Sequence, residues 1–226
     1  MTGRILVFEG LDGVGKTELS KAVARALGAH WLTTPDEQTR AVRETVEDAW
    51  RESPEARHLF YAASVVAAGK QAADLVRQGQ DVVIDRYWLT TLAYSRAAGT
   101  HVDLSGLEAL LVPADATLWI DLDEAERRRR LGVRGATRGD LWSVDASATL
   151  RFHYLRGLDH PVAGRRIEID ARRLDREALL TASLDQVQCV GAPRRDARGQ
   201  LDLFVGEATG RATTPMVPEA RSATMA

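Results

Sequence analysis

The residues Gly10-Leu11-Asp12-Gly13-Val14-Gly15-Lys16-Thr17 constrain this chain more than any other feature, because they complete the pattern G-x-x-x-x-G-K-[ST] between two periodic segments. Before them, Arg4-Ile5-Leu6-Val7-Phe8-Glu9 reads as a buried parallel strand; after them, the apolar spacing from Lys16 to Leu27, stopped by Gly28, reads as a helix. Gly10, Gly13 and Gly15 let the backbone turn so that successive N–H groups, Val14 included, face the phosphates of a donor nucleotide at the helix N-terminus. Lys16 is expected to bridge the β- and γ-phosphates and Thr17 to ligate magnesium. The dinucleotide fingerprint G-x-G-x-x-G does not fit these glycine spacings.

The rest of the chain repeats the alternation. His30 to Thr33 reads as a second strand, ended by Pro35, and Asp36 or Thr39 as the cap of a helix running to about Arg51. Ser53-Pro54-Glu55 has the form of a cap, a proline and an acidic first turn, opening a long helix that reaches about Gln78. Asp81 to Asp85 and Ala116 to Leu122 carry β-branched strand patterns, with a helix from Thr90 to Ala98 between them. A charged helix over Asp123 to Arg130, a strand over Arg166 to Ile169 and a helix over Leu174 to Val187 complete the series. Strands alternating with helices predict an α/β fold, a doubly wound parallel sheet covered on both faces. With 226 residues, one main domain over residues 1–190 is expected. Residues 191–226 lose the periodic pattern and read as a disordered tail with one docked piece at Leu201 to Val205.

A formal net charge of −2 supplies no general basic field, so neither nucleic acid nor an anionic membrane surface is an expected partner. The single Cys189 excludes an internal disulfide, and no apolar stretch has the length of a signal peptide or a membrane span. A cytoplasmic protein is expected, and a homodimer is compatible with the sequence.

Asp85-Arg86-Tyr87 ends the Asp81 to Asp85 strand, at the sheet edge that faces the ligand crevice in open α/β folds. There Asp85 suits magnesium or its water, and Arg86 suits an acceptor phosphate gripped bidentately. Further on, Arg127, Arg128, Arg129, Arg130, Arg134 and Arg138 surround Gly132, Gly135 and Gly139. Such a charge run is ordinarily a solvated helix face, and that reading competes for Arg127 and Arg128. Glycines among arginines also suggest a flap, over about residues 127–142, that closes on the transferring phosphoryl group.

These elements together resemble the thymidylate kinase family. Phe8 to Thr17 is similar to its phosphate loop, Asp85-Arg86-Tyr87 to its acceptor motif, Arg138-Gly139-Asp140 to its lid element, and Leu59-Phe60-Tyr61-Ala62-Ala63 to the helix beneath its base. The resemblance covers about residues 3 to 190 and implies a P-loop nucleotide kinase fold with ATP and magnesium as cofactors. It implies that Asp12 contacts the acceptor sugar or phosphate, Phe60 stacks on the base, Arg86 holds the acceptor phosphate and Tyr94 lies near the sugar. Gly13 occupies a loop position that is arginine in one branch, so the catalytic arginine should come from the lid, as Arg134 or Arg138. The chain departs from the pattern at Ser64, where the family has a base-reading arginine, at Thr33-Thr34-Pro35, where it has Arg-Glu-Pro, and at Trp88, where a smaller residue is usual.

The expected reaction is transfer of the ATP γ-phosphoryl to a nucleoside monophosphate, a small-molecule acceptor that is already anionic and needs no general base. A kinase of an unphosphorylated nucleoside or other small alcohol, the alternative reading, would need a carboxylate such as Glu9 or Asp85 to take the hydroxyl proton. A non-catalytic nucleotide-binding protein would be expected to lack Lys16, Asp85 or the lid arginines, and all are present.

Overall fold

The computed structural model describes residues 3–100 and 102–191. The expected tail, with its docked piece at 201–205, lies outside the described residues. Strand β1 (Ile5–Glu9) leads through the phosphate loop into α1 (Lys16–Leu27), β2 (His30–Thr33), and two short helices, α2 (Glu37–Ala41) and α3 (Arg43–Ala49). The long α4 (Pro54–Arg77) then precedes β3 (Val82–Asp85), α5 (Trp88–Ala97) and α6 (Ser105–Glu108). After β4 (Ala116–Asp121) come α7 (Glu124–Arg134), α8 (Arg138–Asp145), α9 (Ser147–Gly157), a short 3₁₀ turn, β5 (Arg165–Asp170) and α10 (Arg176–Gln188).

The five strands form one sheet in the order β2-β3-β1-β4-β5, with every pairing parallel. All five residues of β1, the central strand, are buried, as a strand covered on both faces requires. Alternate side chains feed separate cores: Leu6 and Phe8 pack with Leu19 and Val23 of α1 and Val187 of α10, whereas Ile5 and Val7 pack with Ala62 and Val65 of α4 and with Trp88. The edge strand β5 alternates exposed and buried instead. Each strand thus delivers its carboxyl end, and the loop after it, to one rim. No described helix is long and apolar enough to cross a membrane.

The structure corrects the sequence reading at three places. The helix expected from Asp36 to Arg51 breaks at Val42, because neither α2 nor α3 buries a side chain that would hold one continuous register. Asp36 is its cap, accepting from the Thr39 N–H at 2.7 Å; Thr39 is not. Ser53 precedes α4 but its side chain makes no cap bond. The charged helix after β4 runs to Arg134 and is not solvated all round, since Arg127 is 0% exposed. The segment that follows, read from sequence as part of a flap, is helical: Thr137 and Asp140 form a reciprocal capping box that starts α8.

Candidate active site

Gly15 takes a left-handed conformation (φ 95°) as the N-cap of α1, a backbone that glycine adopts without strain, and the Val14 N–H donates to the Leu11 carbonyl at 3.5 Å. Gly13 (φ 89°) is glycine for a second reason. A β-carbon there would stand 2.8 Å from Leu131 Cγ on α7, so α7 lies directly on the loop. Lys16 is buried; its Nζ donates to the Leu11 carbonyl at 2.7 Å and lies 4.0 Å from Asp12 Oδ1. Burial and the neighbouring Arg86 charge lower the Lys16 ammonium to about 8, against the opposing pull of Asp12, Asp85 and Glu9.

The parallel register sets Asp85, at the end of β3, beside Phe8 of β1, within reach of the first turn of α1. Thr17 Oγ1 donates to Asp85 Oδ2 at 2.6 Å, while Asp85 Oδ1 is buried with no hydrogen-bond partner. The Thr17 hydroxyl and the unpartnered Asp85 Oδ1 are hard oxygen donors of the kind that would hold a magnesium ion.

One residue on, Arg86 adopts φ 67°, the described non-glycine residue with left-handed backbone. Its N–H donates to the Phe8 carbonyl at 3.0 Å and its own carbonyl accepts from Thr34 Oγ1 at 2.8 Å, so both flanking strands hold the strained turn. The turn aims the guanidinium at Asp12, whose carboxylate also accepts from Tyr94 Oη of α5. Burial pushes the Asp12 carboxyl up, but the charges of Arg86 and Lys16 outweigh it and hold the group far below the usual carboxylate range. Burial next to the Asp12 anion drives the Tyr94 phenol the other way, well above its ordinary value.

Glu9, buried at the end of β1, accepts from the N–H of Tyr87 at 2.9 Å, the N–H of Thr90 at 3.2 Å and Thr90 Oγ1 at 2.5 Å. It therefore caps the first turn of α5, and burial raises its pKa despite those bonds. The Thr90 hydroxyl lies 2.8 Å from Tyr154 Oη of α9.

A cleft of about 400 Å³ opens beside the loop, lined by Lys16, Thr17, Arg130, Arg134, Arg176 and Leu180 among others. Arg134 reaches it from the end of α7, donating to Asp140 Oδ1 at 2.7 Å while its side chain is 57% exposed. Arg138 opens α8, but its side chain lies outside the described residues. Thus Asp12, Gly13, Val14, Gly15, Lys16, Thr17, Arg86 and Arg134 line one cleft, with Asp85 hydrogen-bonded into it.

Phe60 and Ser64 do not line this cleft. They sit on α4, whose first turns stand at the carboxyl rim. The Phe60 ring meets Tyr61 edge-on at 5.3 Å, and Ser64 Oγ donates to the Tyr61 carbonyl at 2.7 Å. The serine hydroxyl is therefore satisfied within its own helix. At the Thr33-Thr34-Pro35 segment, Thr33 Oγ1 accepts from Arg40 Nη2 at 3.0 Å.

Sequence reasoning did not single out Tyr154 and Trp142, and it offered Arg127 only as a flap arginine or part of a solvated face. Arg127, buried in the arginine run, donates to the Asp12 carbonyl at 2.8 Å and to Ser143 O at 3.3 Å, and pairs with Glu124. Its three-residue spacing from Glu124 was visible, but nothing local says that this arginine turns inward. Tyr154 and Trp142 lie on α9 and α8, elements the periodicity did not reveal; the Trp142 ring packs on Tyr94 with centroids 5.6 Å apart.

Comparison with known proteins follows this geometry. The family model described as "Thymidylate kinase" matches residues 8–177. The thymidylate kinase of a Prochlorococcus marinus strain is 32% identical over 171 residues, covering 64% of this chain and 77% of that protein. A probable thymidylate kinase of Pyrococcus abyssi is 30% identical over 170 residues, covering 69% and 83%. Among solved structures, the thymidylate kinase from Candida albicans superposes with a TM-score of 0.67 at 21% identity, covering 83% of this chain and 92% of that one. A deoxyadenosine kinase from M. mycoides with bound dATP gives 0.61 at 17% identity, covering 81% and 99%. At those identities the two structural likenesses are likenesses of fold.

Proposed function

Because this chain belongs to the thymidylate kinase family, and is accordingly a nucleotide-kinase phosphotransferase, we propose that it transfers the γ-phosphoryl group of ATP to a nucleoside monophosphate held beside Asp12 and Arg86. The observation that carries this reading is Asp12 itself. It belongs to the loop that would cradle the donor, lies 4.0 Å from Lys16 and pairs with Arg86, so donor and acceptor groups meet at one residue.

In this reading the N–H groups of the loop and Lys16 bind the donor's phosphates, and binding moves the ammonium from the Leu11 carbonyl to the β- and γ-oxygens. Thr17 and Asp85 would hold magnesium, which when bound neutralises phosphate charge and orients the oxygens. Arg86, already aimed by its strained backbone, would exchange part of its pairing with Asp12 for the acceptor phosphate. Tyr94 would keep Asp12 oriented, and Arg134 would turn from Asp140 toward the charge that develops on the transferring group. The acceptor oxygen is already ionised, so no proton need be taken from it. The two carboxylates that an alcohol-phosphorylating enzyme would draw on are engaged otherwise, Glu9 in capping α5 and Asp85 with Thr17.

The test is a screen of nucleoside monophosphates and unphosphorylated nucleosides for ADP formation with magnesium and ATP. Turnover with a monophosphate, and none with its nucleoside, is the expected result. Turnover confined to unphosphorylated nucleosides would overturn it.

A further inference from the structure

Trp142 is 38% exposed, stands on α8 and packs its ring on Tyr94 at 5.6 Å with the planes tilted 40°. Tyr94 in turn donates to Asp12, the residue that Arg86 also holds. Through Tyr94 of α5, Trp142 thus stands one side chain away from Asp12. A partly exposed indole next to the Tyr94–Asp12–Arg86 group is a large apolar surface beside the residues proposed above to bind the acceptor.

The indole is also held in place. Two residues before it, Asp140 is fixed by the capping box and by Arg134; one residue after it, Ser143 accepts from the buried Arg127, which is itself bonded to the phosphate loop. A ring fixed on both sides loses little freedom when a ligand packs on it, which is the property of an efficient anchor.

From this juxtaposition, and resting on the function proposed above, we propose that Trp142 is an acceptor-contacting, specificity-determining residue: its indole packs on the sugar and base of the nucleoside monophosphate bound at Arg86. The lid is thereby coupled to the acceptor through Trp142 as well as to the donor through Arg134. The wall it provides is flat and apolar. It favours acceptors that present an unsubstituted hydrocarbon face to Tyr94 over those that carry a hydroxyl there, which would lose its hydrogen bonds on burial.

The experiment compares the wild type with Trp142→Ala and Trp142→Phe, using thymidine, deoxyuridine, uridine, deoxycytidine and deoxyadenosine monophosphates as probes. Trp142→Ala should raise KM for the accepted monophosphate at least tenfold and narrow the preference for deoxynucleotides over ribonucleotides. It should leave the Kd of ATP within about twofold, and Trp142→Phe should restore most of the acceptor affinity. Without ATP, binding of the monophosphate should change tryptophan fluorescence in the wild type and not in Trp142→Phe. If the wild type turns over a monophosphate but Trp142→Ala keeps its KM and its preference, Trp142 only packs the lid and this proposal falls while the function stands. If no monophosphate is turned over or bound by the wild type, both fall.

Discussion

The Arg127 guanidinium donates to the Asp12 carbonyl at 2.8 Å and is fully buried in doing so, so α7 and the phosphate loop are joined through a charged group with no access to water. The same guanidinium reaches Ser143 of α8, so one side chain ties the loop to both lid helices. Arg127→Ala should therefore cost roughly 2–3 kcal/mol, the loss of charged hydrogen bonds with buried acceptors left unpaired. In a chain of this size that corresponds to a melting point lower by about 5–10 °C. Arg128→Ala, at an exposed site where the side chain pairs with Glu124, is the control and should shift it by less than about 1–2 °C. Equal effects from the two variants would show that Arg127 is no more structural than its neighbours.

Lys16 predicts a pH dependence of donor binding. With its ammonium lowered to about 8 in the free protein, Lys16 carries its charge below that pH and loses it above. Phosphates favour the charged form, so ATP should bind with constant affinity below pH 8 and progressively more weakly above it, by up to about tenfold per pH unit. Calorimetry at pH 8.5 to 9 should register proton uptake on binding. In Lys16→Arg the side chain does not titrate, and a residual slope of the same size there would assign the effect to another group.

Arg86 separates backbone from side chain. Arg86→Gly removes the guanidinium but suits φ 67°, whereas Arg86→Ala removes it and keeps the strain. Both variants should lose acceptor binding, with KM higher by about 10² or more, as a charged phosphate contact is worth. Arg86→Gly should nevertheless be more stable than Arg86→Ala by about 1 kcal/mol. Chemical denaturation of the pair, alongside acceptor kinetics, checks both halves; equal stability would mean that the turn carries no strain.

For the lid, Arg134→Ala should lower kcat roughly 10²-fold with a smaller effect on acceptor KM, because its contact is formed with charge that develops only during transfer. Arg138→Ala tests the alternative donor of that contact. A change confined to KM in both variants would make the lid a binding element alone.

How much of this was legible depended on how local the signal was. The phosphate loop, β1, α1 and Asp85-Arg86 were read directly, because each is specified by residues adjacent in sequence whose types have few other uses. The extent of α1 and β2 was read to the residue. What escaped needed partners far away in the chain. The inward turn of Arg127 is caused by a carbonyl 115 positions earlier. The pairing of Trp142 with Tyr94 depends on α8, whose eight residues are too few to show a period and whose start is set by a cap at Thr137. Gly13 was legible as a missing arginine, but its cause was not: Leu131 occupies the space where a side chain would begin.

The segment formed by α2 and α3 follows β2 in the chain and buries no side chain. With nothing from residues 37–49 fixed in a core, this stretch lies at the low end of the molecule's local stability, and changes in its length or composition cost the fold little. This is therefore the stretch of the described chain in which new sequence can be tried at the smallest risk to folding, because its failure does not reach the core.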